Sequence, residues 1–461
     1  MRNDLRYDFA YSEDVFLKLI EKEVSKGSMS YRDMGEAGLR ISELYAEKKE
    51  IKNKKENVDY WRIDEIDEEL KNTKQQLVSE VITSLRTGSF SPMLKGSYAK
   101  GKETIIAGDH LTALISKKIK DDILKVYKCY PTDRYSIITR LLSVLKENVA
   151  SFVIRTDIHH FFESIHQDHI LTKLSADRLL PPMTEKLLRQ FFYEYNKLTQ
   201  SGIPVGLPRG IAFSSCLSEL YMRAFDRKIQ DLPGVYYYAR YVDDIVIVCL
   251  KNREITTATH YLDTIKRLSD IVDLAINEDK TQCVDIQEEK NCFDYLGYSF
   301  VLKDGGVTLR LPQYKYDRYK YLIDTLVSHY NRIALLHTKG RRSPLQELAR
   351  CLEVLTSNSH MAGRKSFVNT GVYYSHSLMT DLSQWKELDA YLSHSINNDL
   401  QIPDHPFITG GAGKEHNVNK IKKTILRKCS FMKGYQDRRK FHGSSMDYAK
   451  IMKLLRIIGN G

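Results

Sequence analysis

Apolar residues recur at helical spacing through the first part of the chain: Leu39, Ile41, Leu44 and Tyr45, then Ile63, Ile66 and Leu70. Neither Gly nor Pro interrupts 41–85, so the pattern predicts a helical, highly charged N-terminal extension over 1–88. Within it, the Lys- and Glu-dominated run 47–56 reads as a solvated helix face. Trp61 reads either as a packing residue or as a docking anchor. At Gly88-Ser89-Phe90-Ser91-Pro92 the texture changes. Short β-like segments begin, Thr104-Ile105-Ile106 among them, and a mixed α/β region extends to 311. There 150–156 reads as a buried strand, and 235–238 and 245–250 as two strands around a tight acidic turn. The segments 293–302 and 307–311 read as a hairpin joined by Lys303-Asp304-Gly305-Gly306. Beyond Pro312 the strand signals fade, and helical periodicity returns in 314–337, 344–355 and 381–396. A loop bearing Gly and Pro, 402–413, sets off a last segment, 414–456, crowded with Lys and Arg. No internal repeat of fixed period emerges.

At 461 residues and 42% hydrophobic content, the chain can bury a large core and form two or three domains. Lys and Arg outnumber Asp and Glu by 70 to 59, a formal charge of +11, with a pI near 9.0. Such an excess favours polyanionic partners through counterion release; a solvated basic surface would give the same number. The seven cysteines contain no C-x-x-C pair, which reads as reduced, buried thiols of a cytoplasmic protein. The polar N-terminus lacks a signal-peptide core, and no run reaches the roughly 20 apolar residues of a membrane helix.

The strongest chemical signal is Tyr241-Val242-Asp243-Asp244, flanked by β-branched and apolar residues. Adjacent carboxylates at the tip of a buried hairpin repel each other and resist desolvation, and a divalent cation relieves both costs. Taken alone, an Asp-Asp pair on a surface turn is the commoner explanation. Asp157 changes the balance. It ends the strand-like Ser151-Phe152-Val153-Ile154-Arg155-Thr156, and folding could bring it beside the acidic hairpin as a two-metal centre for in-line phosphoryl transfer. His159, His160, Glu163 and His166 lack the H-E-x-x-H order and read as packing or nucleic-acid contacts. Gly410-Gly411-Ala412-Gly413-Lys414-Glu415 only echoes a phosphate loop, since Ile408 and Glu415 stand at positions requiring Gly and Ser or Thr.

The D-x4-F element 157–162, the run Gly206-Leu207-Pro208-Arg209-Gly210 and the Y-V-D-D hairpin follow one another as in the palm of reverse transcriptases, which this chain resembles over about 89–311. Asn277-Glu278-Asp279-Lys280-Thr281 resembles the lysine-bearing loop after the catalytic hairpin. Tyr295, Leu296 and Gly297 match the primer grip, and 95–109, with Lys100 and Lys102, matches the basic fingers element. The resemblance implies an α+β right-hand polymerase fold, fingers and palm over 89–311, between the helical extension 1–88 and a helical, thumb-like domain 312–461. It implies metal binding by Asp157, Asp243 and Asp244, with Ile158 adjoining, and Mg²⁺ as cofactor, for which Mn²⁺ can substitute. Phe162 falls at the steric gate against a ribose 2′-hydroxyl, and Lys280 at the incoming triphosphate. Arg209 replaces the family's Gln, and Glu103-Thr104 follow Lys102 where an Arg is usual. Arg209, beside Gly210, therefore either contacts phosphate in place of the fingers or reads the template or incoming base.

The helical C-terminal part, including Phe367-Val368-Asn369-Thr370-Gly371-Val372-Tyr373-Tyr374, resembles abortive-infection and other antiphage defence reverse transcriptases. That implies DNA synthesis from dNTPs on an RNA template, with a dedicated non-coding RNA, a partner protein or a second copy of the chain as further partners. Relatives that prime on themselves make Tyr435 and Tyr448, beside Gly434 and Gly443-Ser444-Ser445, candidate priming hydroxyls. Arg438, Arg439 and Lys440 are candidate phosphate contacts. A retron or group II intron-type enzyme, and a catalytically silent RNA-binding scaffold, remain alternative readings.

Overall fold

The computed structural model describes residues 10–26, 29–53, 59–99, 101–200, 206–253, 257–288, 291–303, 305–334, 344–362, 367–402, 414–443 and 445–458. Lys100, the phosphate-loop echo up to Gly413, and Ser444 lie outside them. Two compact units emerge, Met1–Ile137 with Phe152–Cys283, and Ile138–Ser151 with Val284–Gly461.

The first unit begins with the helices Glu13–Ser25, Gly35–Asn53 and Tyr60–Thr87. Their apolar faces (Phe16, Ile20, Ile41, Leu44, Ile66, Val78) are buried in one core with the strands that follow. The third helix starts where the Asp59 carboxylate accepts from the Arg62 N–H, and ends at Gly88, whose φ of +71° makes a left-handed cap. Leu39 and Tyr45 share the apolar spacing yet are exposed, as is Trp61, whose indole donates to Glu65. The strands β1 (Leu94–Ala99) and β2 (Lys102–Ala107) form an antiparallel hairpin. The strands β3 (Ser151–Asp157), β4 (Val235–Tyr241), β5 (Asp244–Leu250) and β6 (Gln282–Asp285) form a sheet in the order β4-β5-β3-β6. The inner pair, β3 and β5, is buried along nearly its whole length, which is why both read as unbroken apolar runs.

In the second unit, β7 (Cys292–Tyr295), β8 (Tyr298–Lys303) and β9 (Gly306–Arg310) form a three-stranded antiparallel sheet. The single strand expected over 293–302 is therefore two. Leu296 and Gly297, with φ of +44° and +76°, turn the chain in a two-residue hairpin, and positive φ at both loop positions marks such turns. Helices follow at Gln313–Ile333, Pro344–Leu355, Ser383–His394, Lys414–Lys428, Phe431–Gln436 and Ser445–Ile458. Between the second and third lies a hairpin absent from the sequence expectation, β10 (Asn358–Ala362) with β11 (Phe367–Gly371). Its strands, the second of which ends in Gly371, lack apolar alternation, and the side chain of buried Asn358 holds the hairpin by donating to the Gly434 carbonyl and accepting from the Tyr373 N–H. Trp385 anchors this unit's core, stacked on Phe431.

Five cysteines are buried, but Cys283 and Cys292 are exposed, contrary to the expectation of buried thiols throughout. Among the described residues no helix is long and apolar enough to cross a membrane.

Candidate active site

The β4–β5 register pairs Tyr241 with Asp244, leaving Val242 and Asp243 as a two-residue turn. Val242 has a φ of +61°. A β-branched residue there is strained by about 1–3 kcal/mol and needs surrounding structure to hold it. Arg240 supplies that support. Its Nη1 donates to the Val242 carbonyl at 2.8 Å, and its other contacts reach Glu219 at 2.8 Å and Asp226 at 2.8 and 2.9 Å. The Tyr238 hydroxyl donates to Asp226 at 2.6 Å. Only 7% of Arg240 is exposed.

Asp157 meets this turn from β3. The Ile158 N–H donates to the Asp243 carbonyl at 3.2 Å, and the Asn277 N–H donates to the Asp157 carbonyl at 2.9 Å. The strand end is thus fixed between the acidic hairpin and the 275–277 segment. Lys280 Nζ donates to Asp157 Oδ2 at 2.7 Å. Arg155 bridges the two sides, giving one N–H to Asp244 Oδ1 at 3.1 Å and another to the Lys280 carbonyl at 3.0 Å. Burial pushes the Asp244 carboxyl above its usual range; Arg155 opposes this, and the charges of Asp243 and Asp157 add to it.

These residues fit a hard divalent cation. Asp157 Oδ1 is buried and has no hydrogen-bond partner, and Asp157, Asp243 and Asp244 supply carboxylate oxygens, the donors that Mg²⁺ prefers. Among the described residues no three His, Cys, Asp or Glu side chains already surround a cation position. In this state Lys280 and Arg155 serve as counter-ions.

Phe162 sits just past Asp157, half-buried, with its ring edge-on to the buried Phe161. The 206–210 loop is stitched to the same segment. The Leu207 N–H donates to the Phe162 carbonyl at 2.7 Å and the Gly206 N–H to the Ile165 carbonyl at 2.9 Å. On its other side the Ile105 N–H of β2 donates to the Arg209 carbonyl at 2.6 Å. Gly210 (φ +108°) is required there, since a Cβ would lie 2.5 Å from the Ile105 carbonyl oxygen. The Arg209 side chain pairs with Glu163. His159 and His160 pack edge to face, and His166 stacks on His169. Lys102 is exposed at the start of β2.

The remaining candidates lie in the second unit. Tyr295 is buried, and the Gly297 carbonyl accepts from Lys315 at 3.0 Å. Tyr435 and Tyr448 were expected on a mobile tail, but both are buried in helices, and the Tyr435 hydroxyl donates to the Met379 carbonyl. Packing against Trp385, Tyr373 and Phe441 explains both. Arg439 donates to the Ser430 carbonyl and the Thr356 hydroxyl, and Arg438 lies over the Tyr373 ring. Arg439 is thereby a fold-forming residue. Sequence reasoning missed Arg155, Arg240, Glu219 and Asp226. Arg155 carried a signal, as the one charge before Asp157 in an apolar strand.

Residues 110–300 match the family model for reverse transcriptase (RNA-dependent DNA polymerase). The chain carries a reverse transcriptase domain. Its described residues form a mixed helix and strand architecture. No curated protein matches it. Similar solved structures include a telomerase from Candida albicans in complex with a TWJ fragment of telomeric RNA, at 12% identity and a TM-score of 0.34, covering 79% of this chain and 64% of that one. An apo telomerase from Candida tropicalis is 9% identical with a TM-score of 0.35, over 83% of this chain and 70% of that one. The chain spans just under two thirds of the first of these.

Proposed function

We propose that the chain is an RNA-directed DNA polymerase that extends a primer with dNTPs at Asp157, Asp243 and Asp244. The reading rests on one observation above all. A buried Asp157 oxygen has no hydrogen-bond partner, and the next residue, Ile158, bonds to the Asp243 carbonyl of the strained Val242-Asp243 turn, which gathers acids at a cost that a bound cation would relieve. Divalent ions held there, Mg²⁺ first and Mn²⁺ in its place, would activate the primer 3′-hydroxyl and neutralise the leaving pyrophosphate. The chain's own groups do the rest. Arg155 holds the Asp244 carboxylate in orientation. Lys280, an exposed ammonium tethered to Asp157, is positioned to turn to the triphosphate and donate a proton to the leaving group. Phe162 walls the sugar side and excludes a ribose 2′-hydroxyl. We assign 89–311 to fingers and palm, 1–88 to an N-terminal extension, and 312–461 to a thumb-like domain with Tyr295, Leu296 and Gly297 as primer grip.

The template we infer is RNA, and the cellular role we infer is antiviral defence, from the resemblance of the C-terminal part to defence reverse transcriptases. Extension of a DNA primer on an RNA template with dNTPs and Mg²⁺ tests the activity; no extension under any primer and template pairing would refute it. Mg²⁺ at about 10–100 times its dissociation constant should stabilise the fold by roughly 1–3 kcal/mol. Differential scanning fluorimetry should therefore show a melting rise of a few degrees in wild type and none in Asp243→Ala/Asp244→Ala.

A further inference from the structure

We propose that Glu163 and Arg209 are positioning residues for sugar discrimination: their ion pair clamps the Arg209 guanidinium over the Phe162 ring and fixes the ring as a rigid wall. The inference rests on the polymerase reading above and deepens it. Phe162 has no polar atom with which to anchor its ring, so only what packs on it can set its orientation. The edge-on Phe161 ring, 5.3 Å away between centroids, bounds one side, and Phe161 is itself 1% exposed. The Arg209 guanidinium carbon lies 5.0 Å from the Phe162 centroid, within the range of a cation–π contact.

The guanidinium is in turn held. Arg209 Nε donates to Glu163 Oε1 at 3.1 Å and Nη2 to Oε2 at 3.1 Å, a two-pronged pairing that fixes the guanidinium plane. Glu163 follows Phe162 directly, and the Arg209 main chain is bonded to Ile105 of the β1–β2 hairpin. Ring, carboxylate and guanidinium therefore form one closed unit, reached from both the palm segment and the 206–210 loop. Steric selection needs such stiffness, because a wall that yields by an ångström admits the hydroxyl it is meant to refuse. The same pairing explains why Arg can stand at a position where the family carries Gln: its charge is neutralised beside the sugar rather than offered to the phosphates.

A phosphate-binding role for Arg209 makes the opposite prediction, since breaking the pair would free the guanidinium for the triphosphate. Single-nucleotide extension should be measured with matched dNTP and rNTP for wild type, Phe162→Ala, Glu163→Gln, Arg209→Gln and the swap Glu163→Arg/Arg209→Glu. Phe162→Ala should raise the rNTP/dNTP ratio of kcat/KM about tenfold or more. Glu163→Gln and Arg209→Gln should each raise it about 2- to 5-fold, the range a partly exposed ion pair supports, and the swap, which keeps the ion pair but puts a carboxylate against the ring, should raise it at least as much as Arg209→Gln. Circular dichroism of each variant guards against misfolding. If Glu163→Gln lowers the KM for dNTP and leaves the ratio unchanged, Arg209 serves phosphate and the clamp is wrong. If Phe162→Ala also leaves the ratio unchanged, the gate assignment falls with it. A wild-type protein that incorporates nothing overturns the polymerase reading itself.

Discussion

Asp243→Ala combined with Asp244→Ala should lower dNTP incorporation by a factor of about a thousand or more, the several kcal/mol that bound metal contributes to the transition state. The fold should survive. Both side chains belong to an acidic cluster whose members repel one another, and burial already pushes the Asp244 carboxyl up. Arg155 loses its ion-pair partner Asp244 but keeps its bond to the Lys280 carbonyl. The double variant should therefore melt close to the metal-free wild type, within a few degrees, while failing in primer extension. In cells it should lose any protection against phage that the wild-type chain confers, read as plaque counts on matched hosts. Extension at the wild-type rate would end the metal-centre reading. Plaque counts equal for wild type, double variant and empty host would end the defence reading alone.

The sequence made the centre of this site legible because strands buried on both faces must be written in apolar residues. β3 and β5 stand out as such, and an acid at the end of each is conspicuous. The Val242-Asp243 turn was visible for the same reason, as a polar break between two apolar runs. What holds the turn was not visible. Arg240 looks like a surface residue of a strand, and its partners Glu219 and Asp226 lie on the helix Ser214–Gln230, outside every motif. Such pairs are made by packing, and neither periodicity nor spacing encodes them. The sequence leaves the role of Arg209 open between phosphate and base, because nothing in spacing pairs it with Glu163, 46 residues away. The C-terminal tyrosines misled for a further reason. Neighbouring Gly and Ser suggested mobility, but Gly434 is packed so tightly that a Cβ would lie 2.0 Å from the Thr356 carbonyl oxygen. A glycine marks close approach as readily as it marks a hinge.

Arg240→Met should be the most damaging single change outside the acidic triad. The arginine is 7% exposed and neutralises Glu219 and Asp226, which would be left facing each other in a largely buried setting. Removing one partner of a buried charge cluster costs about 3–5 kcal/mol, so the melting temperature should fall on the order of 10 °C. Arg240 also donates to the Val242 carbonyl, the bond that holds the valine in its left-handed conformation. Without it the turn can relax by rotating Val242 to negative φ, which would carry Asp243 away from Asp157. Arg240→Met should therefore lower kcat more than it raises KM, even well below the melting temperature. The two effects can be separated. Adding Val242→Gly removes the strain that drives the turn away, because glycine tolerates positive φ. The double variant should recover part of the lost kcat and none of the lost stability. Equal kcat in the single and double variants would show that Arg240 acts only on the fold; an Arg240→Met protein with wild-type melting and wild-type kcat would show that it does neither.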